Sequence, residues 1–188
     1  MKERILVVYY SRSGRTRKVA ANIAWTLDCD IEEIAEPGGR LGLFGSLRSA
    51  EEAWRERPAA IEPPRRDPSS YDLIIIGTPV WAWSTSSPVR AYLTAMKARL
   101  PDVAFFCTLG ASGRARVFNQ MQRLAGKAPR AVCATTQREV GSGAYRDRVA
   151  AFVQALASAP VGGARTPSPR PWLREAAPPT RVLERGLR

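Results

Sequence analysis

From Ile5 to Ile23 the chain reads Ile-Leu-Val-Val-Tyr-Tyr-Ser-Arg-Ser-Gly-Arg-Thr-Arg-Lys-Val-Ala-Ala-Asn-Ile, and few folds can accommodate such a stretch. The apolar run Ile5 to Tyr10 does not alternate with polar residues, which suits a strand covered on both faces. It breaks into hydroxyl and glycine residues, and apolar side chains then return at helical spacing: Val19, Ala20, Ile23, Ala24 and Leu27. The pattern is a buried strand, a tight loop and an amphipathic helix. Ser13 is placed to cap that helix, and Gly14 lets the backbone come close to whatever lies above the turn. The first helical turn offers N–H donors without internal acceptors, reinforced by the helix dipole. With the hydroxyls of Ser11, Ser13 and Thr16 converging there, the loop is a receptor for a phosphate monoester. The plainer alternative is an ordinary strand-to-helix turn whose hydroxyls only cap. Two other phosphate loops fail on spacing. Lys127 follows Gly126 but precedes Ala128, so no G-x-x-x-x-G-K-[ST] is present, and no G-x-G-x-x-G follows the first strand.

The same alternation runs on. A second strand is expected from Asp30 to Ala35, ended by Glu36-Pro37-Gly38-Gly39, and an amphipathic helix over residues 40–57 through Leu43, Leu47, Ala50 and Trp54. Tyr71 to Ile76 reads as a central parallel strand, followed by a loop from Gly77 to Pro88 that carries Trp81 and Trp83. Val89, Tyr92, Leu93 and Met96 mark the next helix. Val103 to Thr108 is a fourth strand, Val117 to Leu124 a helix, Ala131 to Thr136 a fifth strand, and Val149 to Leu156 a last helix. Strands alternating with helices imply an α/β doubly wound parallel sheet with helices on both faces. In such sheets a ligand sits beyond the carboxyl ends of the strands, where strand order reverses. Exposed tryptophans there suit stacking on a flat heterocycle, the alternative being that they fold back as core.

Val7-Val-Tyr9-Tyr-Ser11-Arg-Ser-Gly14-Arg-Thr16-Arg-Lys-Val-Ala20-Ala-Asn-Ile23 resembles the flavodoxin signature. Gly77-Thr-Pro-Val-Trp-Ala with the Pro88-Val-Arg-x-Tyr-Leu that follows resembles one subset of that family, and the resemblance spans roughly residues 3–157. It implies a five-stranded sheet of order 2-1-3-4-5 and an FMN cofactor. By this resemblance Ser11, Arg12, Ser13, Gly14, Arg15 and Thr16 hold the FMN phosphate. Thr78, Pro79, Val80, Trp81, Ala82 and Trp83 line one side of the isoalloxazine, with Thr108, Leu109, Gly110 and Gly113 on the other. The chain departs from the pattern in three ways. Relatives often carry glycine near position 83, the loop 109–113 has no aromatic residue, and most electron-carrier flavodoxins are acidic.

This chain is basic. Its formal charge is +12, of which the segment from Ser158 onward, with six Arg and two Glu, contributes +4. That segment also holds six prolines and reads as a disordered extension to a single domain over 1–157. A basic excess attracts anionic partners. The chain contains no histidine, so no Ser-His-Asp or Cys-His triad and no His-bearing metal site can form. Cys29, Cys107 and Cys133 are too scattered for a disulfide framework or a C-x-x-C site and read as buried thiols. No apolar run approaches the roughly 18 residues of a membrane span, and the N-terminus shows no signal-like segment, so a cytoplasmic place is expected. Hard chemistry, if any, falls to a cofactor. The expected function is redox: an electron carrier, or a small FMN-dependent oxidoreductase acting on a quinone-like or protein acceptor. The alternative is a non-catalytic module using its basic surface and tail for nucleic acid or acidic proteins. Basic patches interleaved with stacking aromatics, as a nucleic-acid surface needs, are not evident.

Overall fold

The computed structural model describes residues 2–37 and 60–159. The helix expected over 40–57 lies outside them, as does the Pro- and Arg-rich segment from residue 160 on. The strands are β1 (Ile5–Tyr9), β2 (Asp30–Glu33), β3 (Leu73–Trp81), β4 (Ser84–Thr85), β5 (Asp102–Leu109) and β6 (Val132–Thr136). The helices are α1 (Arg15–Leu27), α2 (Ser87–Met96), α3 (Arg114–Ala125), α4 (Gln137–Ser142) and α5 (Tyr145–Ser158).

Five strands pair in parallel in the order β2-β1-β3-β5-β6, and β4 pairs antiparallel with the end of β3. With β4 set aside, this is the second-first-third-fourth-fifth order implied by the resemblance. The central strand shows why both faces are covered. Leu73 to Ile76 are 0% exposed, and the period of two sends them alternately to opposite sides. Ile74 and Ile76 pack with Val89 and Leu93 of α2 and Val117 and Phe118 of α3. Leu73 and Ile75 pack with Val19 and Ile23 of α1 and Val149 and Phe152 of α5. Each such side chain contributes about 1.5–3 kcal/mol by leaving water.

Gly77 ends this run because the ring of Phe106 crosses it: a Cβ at Gly77 would lie 1.9 Å from Phe106 Cζ. Beyond that point the structure corrects the expected loop. β3 continues to Trp81 and turns back, with Val80 opposite Thr85 and Trp81 opposite Ser84. Residues 77–85 are therefore largely an extension of the sheet: β5 lies opposite Gly77 to Pro79, and the hairpin supplies partners for Val80 and Trp81. β2 ends at Glu33, two residues before the expected stop, and α4 was not foreseen. Since the five long strands are parallel, their carboxyl ends share one edge. The chain leaves β1 for β2 and returns across it to β3, so order reverses between β1 and β3.

Candidate functional site

The loop after β1 forms the first wall. Gly14, not Ser13, is the N-cap of α1. It takes a left-handed conformation with φ 81 and has no side chain with which to cap the helix itself. This corrects the sequence expectation, and the reason is conformational: the entry bend needs a positive φ, which glycine adopts without cost. The N–H groups of Gly14, Arg15 and Thr16 therefore face the loop without intrahelical acceptors. A Cβ at Gly14 would meet nothing within 4 Å, so the space over the cap is open.

The hydroxyls are not equivalent. Ser11 is buried, and its Oγ accepts the Arg17 N–H at 3.2 Å. Thr16 is buried, with Oγ1 2.8 Å from Thr108 Oγ1 at the end of β5, which ties the first loop to the third. Ser13 is exposed and accepts from Arg15 Nη1 at 3.3 Å. Arg12 and Arg15 are exposed, and the Arg12 guanidinium lies 5.9 Å from the centre of the Trp81 ring.

The β3–β4 hairpin is the second wall. Thr78 is wholly buried and works inside the protein: its Oγ1 donates to Ser86 Oγ and accepts the Ser86 N–H, each at 3.1 Å. Pro79, Val80 and Trp81 are half-buried. The Trp81 ring meets the edge of Tyr10 at 5.7 Å and 89°, and Trp81 packs against the core below. Tyr10 in turn donates to Glu36 Oε2 at 2.7 Å. Burial, then that carboxylate, hold its phenol protonated well above the ordinary value.

At the tip, Ala82 and Trp83 are both left-handed, with φ 45 and φ 60. This is the turn whose twist matches a hairpin, usually built from glycine or asparagine, and such conformations cost on the order of 1–3 kcal/mol each. Tertiary bonds hold it. Trp83 Nε1 donates to Ser112 Oγ at 3.0 Å, and Gln120 Oε1 accepts from Ser84 Oγ and Thr85 N–H at 3.0 and 2.9 Å. The indole remains 59% exposed.

The loop after β5 closes the arrangement. Thr108 and Leu109 are buried, while Gly110 is exposed. Gly113 is the N-cap of α3 at φ 106, without a side-chain cap. A Cβ there would lie 3.1 Å from Trp83 Cδ1, so a glycine lets the indole sit down on this loop.

A family model described as flavodoxin matches residues 4–155. The chain belongs to the flavodoxin family. FMN is the cofactor of that family. A flavoprotein from Lactobacillus acidophilus, solved in complex with FMN, is 26% identical with a TM-score of 0.60, covering 74% of this chain and 97% of its own. An apo-form of the flavoprotein from that organism is 25% identical with a TM-score of 0.54, covering 75% and 97%. A WrbA-like flavodoxin from Agrobacterium tumefaciens, 16% identical with a TM-score of 0.51, covers 84% of this chain and 99% of its own and shares the fold. No curated protein matches the sequence.

In this flavodoxin-family chain, loops from β1, β3 and β5 thus come together at the reversal point, joined by Thr16 to Thr108, Arg12 to Trp81 and Trp83 to Ser112. Sequence reasoning missed Tyr10, Ser112 and Gln120. Ser112 stands inside a loop already singled out. Gln120 gives no local signal, since its partners are 35 and 36 residues away. The cysteines are free thiols, and Cys107 lies opposite Thr78 in the sheet. Burial pushes the Cys29 thiol up to about 11 and the Cys133 thiol up to about 12, and raises Cys107 as well. Among the described residues no group of side chains could hold a metal ion, and no helix is long and apolar enough to cross a membrane.

Proposed function

We propose that this chain is an FMN-binding redox protein that carries electrons to a protein partner or reduces a small acceptor such as a quinone. One observation supports it above the others: the glycine-capped N-terminus of α1, with open space over Gly14 and two arginines beside it, sits at the sheet's reversal point. A phosphate dianion fits that donor set. Gly14, Arg15 and Thr16 would supply backbone N–H donors, Ser13 its hydroxyl and Arg15 its charge. Ser11 Oγ already accepts from Arg17, so its own O–H is left to donate upward.

The hairpin from Pro79 to Trp83 would line one side of the isoalloxazine, with Leu109, Gly110 and Gly113 on the other. Thr78 and Thr108 would act from beneath, as braces for the two walls. When bound, FMN supplies the capacity to take one or two electrons with their protons. The protein's part is to hold the phosphate, exclude water from the half-buried Trp81 side, and present backbone donors from glycine-bearing loops. Three free thiols, two of them buried, accord with a reducing, cytoplasmic setting.

The test is direct. Titrating the protein with FMN should quench flavin fluorescence with one site per chain, and the complex should be yellow and reducible under anaerobic conditions. Protein that stays colourless in excess FMN sinks the proposal.

A further inference from the structure

The carboxyl edge of the sheet carries more positive charge than one phosphate requires. Arg12 and Arg15 belong to the first loop. Arg114 and Arg116 open α3, directly after the Gly113 cap, and Arg138 is in the first turn of α4 after β6. Arg12, Arg15, Arg116 and Arg138 are exposed. Among the described acids of this edge, Glu33 is paired with Arg17 and Glu139 with Arg148, while Glu36 accepts from the neutral Tyr10 hydroxyl and keeps its charge. Among the described residues Asp147, in the first turn of α5, adds one further negative charge.

Among these cations stands an aromatic side chain that water does not favour. Trp83 is 59% exposed, yet it is not a frayed residue. Its backbone is held left-handed, its Nε1 is bonded to Ser112, and its ring rests on Gly113. A rigid exposed tryptophan flanked by arginines has the make-up of a binding hot spot, and Trp and Arg are the residues that most often carry one. A nucleic-acid surface would instead need several stacking aromatics along a basic groove.

We propose that this edge, with Trp83 at its centre and the exposed Arg116 and Arg138 beside it, docks the acidic face of a redox partner protein. The inference rests on the FMN reading above and names the partner class for that same site. Electrostatic complementarity would steer encounter, and the indole would anchor the complex beside the cofactor.

The experiment uses the full chain loaded with FMN and oxidised, so that no electrons flow. The probes are cytochrome c, which is basic, and cytochrome c with its lysines succinylated, the same haem protein with its charge reversed. Binding is measured by calorimetry at rising NaCl. The succinylated form should bind at least about tenfold more tightly at low salt, and salt should erase the difference. The double variant Arg116→Glu, Arg138→Glu should lose about tenfold or more of that affinity. Lys97→Glu with Arg123→Glu makes the same change in net charge at the opposite ends of α2 and α3 and should lose less than about threefold. Trp83→Ala, checked by absorbance for FMN content, should weaken the succinylated complex by about tenfold.

Equal losses in the two double variants would mean that net charge alone attracts the probe, and the docking surface is overturned. So would equal affinity for the two cytochromes. A duplex oligonucleotide whose binding is lost in the Arg116, Arg138 variant, with the cytochromes undiscriminated, would give the edge to nucleic acid instead. Protein that takes up no FMN refutes the cofactor reading before any probe is added; yellow protein that fails to discriminate refutes only the partner.

Discussion

Two helix N-termini on the same edge of the sheet are built in opposite ways. At α4, Thr136 caps the first turn through its side chain, and Glu139 returns a carboxylate to the Thr136 N–H at 2.7 Å, a complete capping box. At α1 a left-handed glycine occupies the cap, the first turn has no acidic residue, and arginines flank it. Both ends present the same unsatisfied N–H groups and the same partial positive charge. One meets that demand from its own sequence and is closed. The other meets it only at Arg17, whose N–H goes to Ser11 Oγ, and an external anion is what would satisfy the N–H groups of Gly14, Arg15 and Thr16. The neighbouring α3 is also open, with Gly113 as cap and no acid in its first turn. An open N-terminus is common on helices, so the contrast within one edge, at the reversal point, is what gives it weight.

The sharpest way to break the contrast is to make α1 resemble α4. Gly14→Asp puts a carboxylate where the phosphate would lie. Two charges about 4 Å apart repel by about 4 kcal/mol at the effective dielectric of a protein surface. FMN affinity should therefore fall by about a hundredfold or more in a fluorescence titration, while the strand and helix content holds. An unchanged affinity would place the phosphate elsewhere.

Next in size is the brace on the second wall. Gln120→Ala removes the acceptor for both Ser84 Oγ and the Thr85 N–H and should cost about 1–3 kcal/mol in urea unfolding. The flavin affinity of this variant should fall with it, because the hairpin tip loses its hold.

Opening α4 is the converse test. Glu139→Gln should cost about 0.5–1 kcal/mol at neutral pH and leave FMN affinity unchanged. The bond from the Thr136 N–H is the main reason the Glu139 carboxyl titrates below its ordinary 4.5. A depressed folded value means that the stabilisation is complete above the unfolded value and is lost as pH falls through the lower, folded one. Wild-type protein should therefore lose this increment on acidification below about pH 4.5, and the glutamine variant should not. The smallest effect is expected at Trp83→Gly, where relief of the left-handed strain and loss of the Ser112 bond nearly cancel, to within about 1 kcal/mol. A large loss of stability would mean the indole is a structural prop and not a contact surface.

Much of this was legible before any coordinates. Leu73 to Ile76 had to be a central strand because nothing in the run is polar, and the alternation of strands and helices implied the parallel sheet. The first loop was legible as a tight strand-to-helix turn because its strand, glycine bend and helix are set by neighbouring residues. Less legible was the hairpin after Gly77. A Gly-Thr-Pro segment reads as a loop, and the antiparallel partner that extends β3 is two residues long. The choice of Gly14 over Ser13 as cap was hidden as well, since both residue types favour that position and only the entry angle of the chain separates them.

What the sequence determined alone is the local order: buried strand, glycine bend, amphipathic helix, repeated along a chain without histidine. These follow from side-chain period and backbone freedom within a few neighbouring residues. Tertiary structure decided that Thr16 would meet Thr108 across 92 positions, that Ala82 and Trp83 would both be held left-handed, and that the Thr78 hydroxyl would turn inward. Those outcomes depend on contacts between strands that only the folded sheet brings into register, and no short-range pattern encodes them.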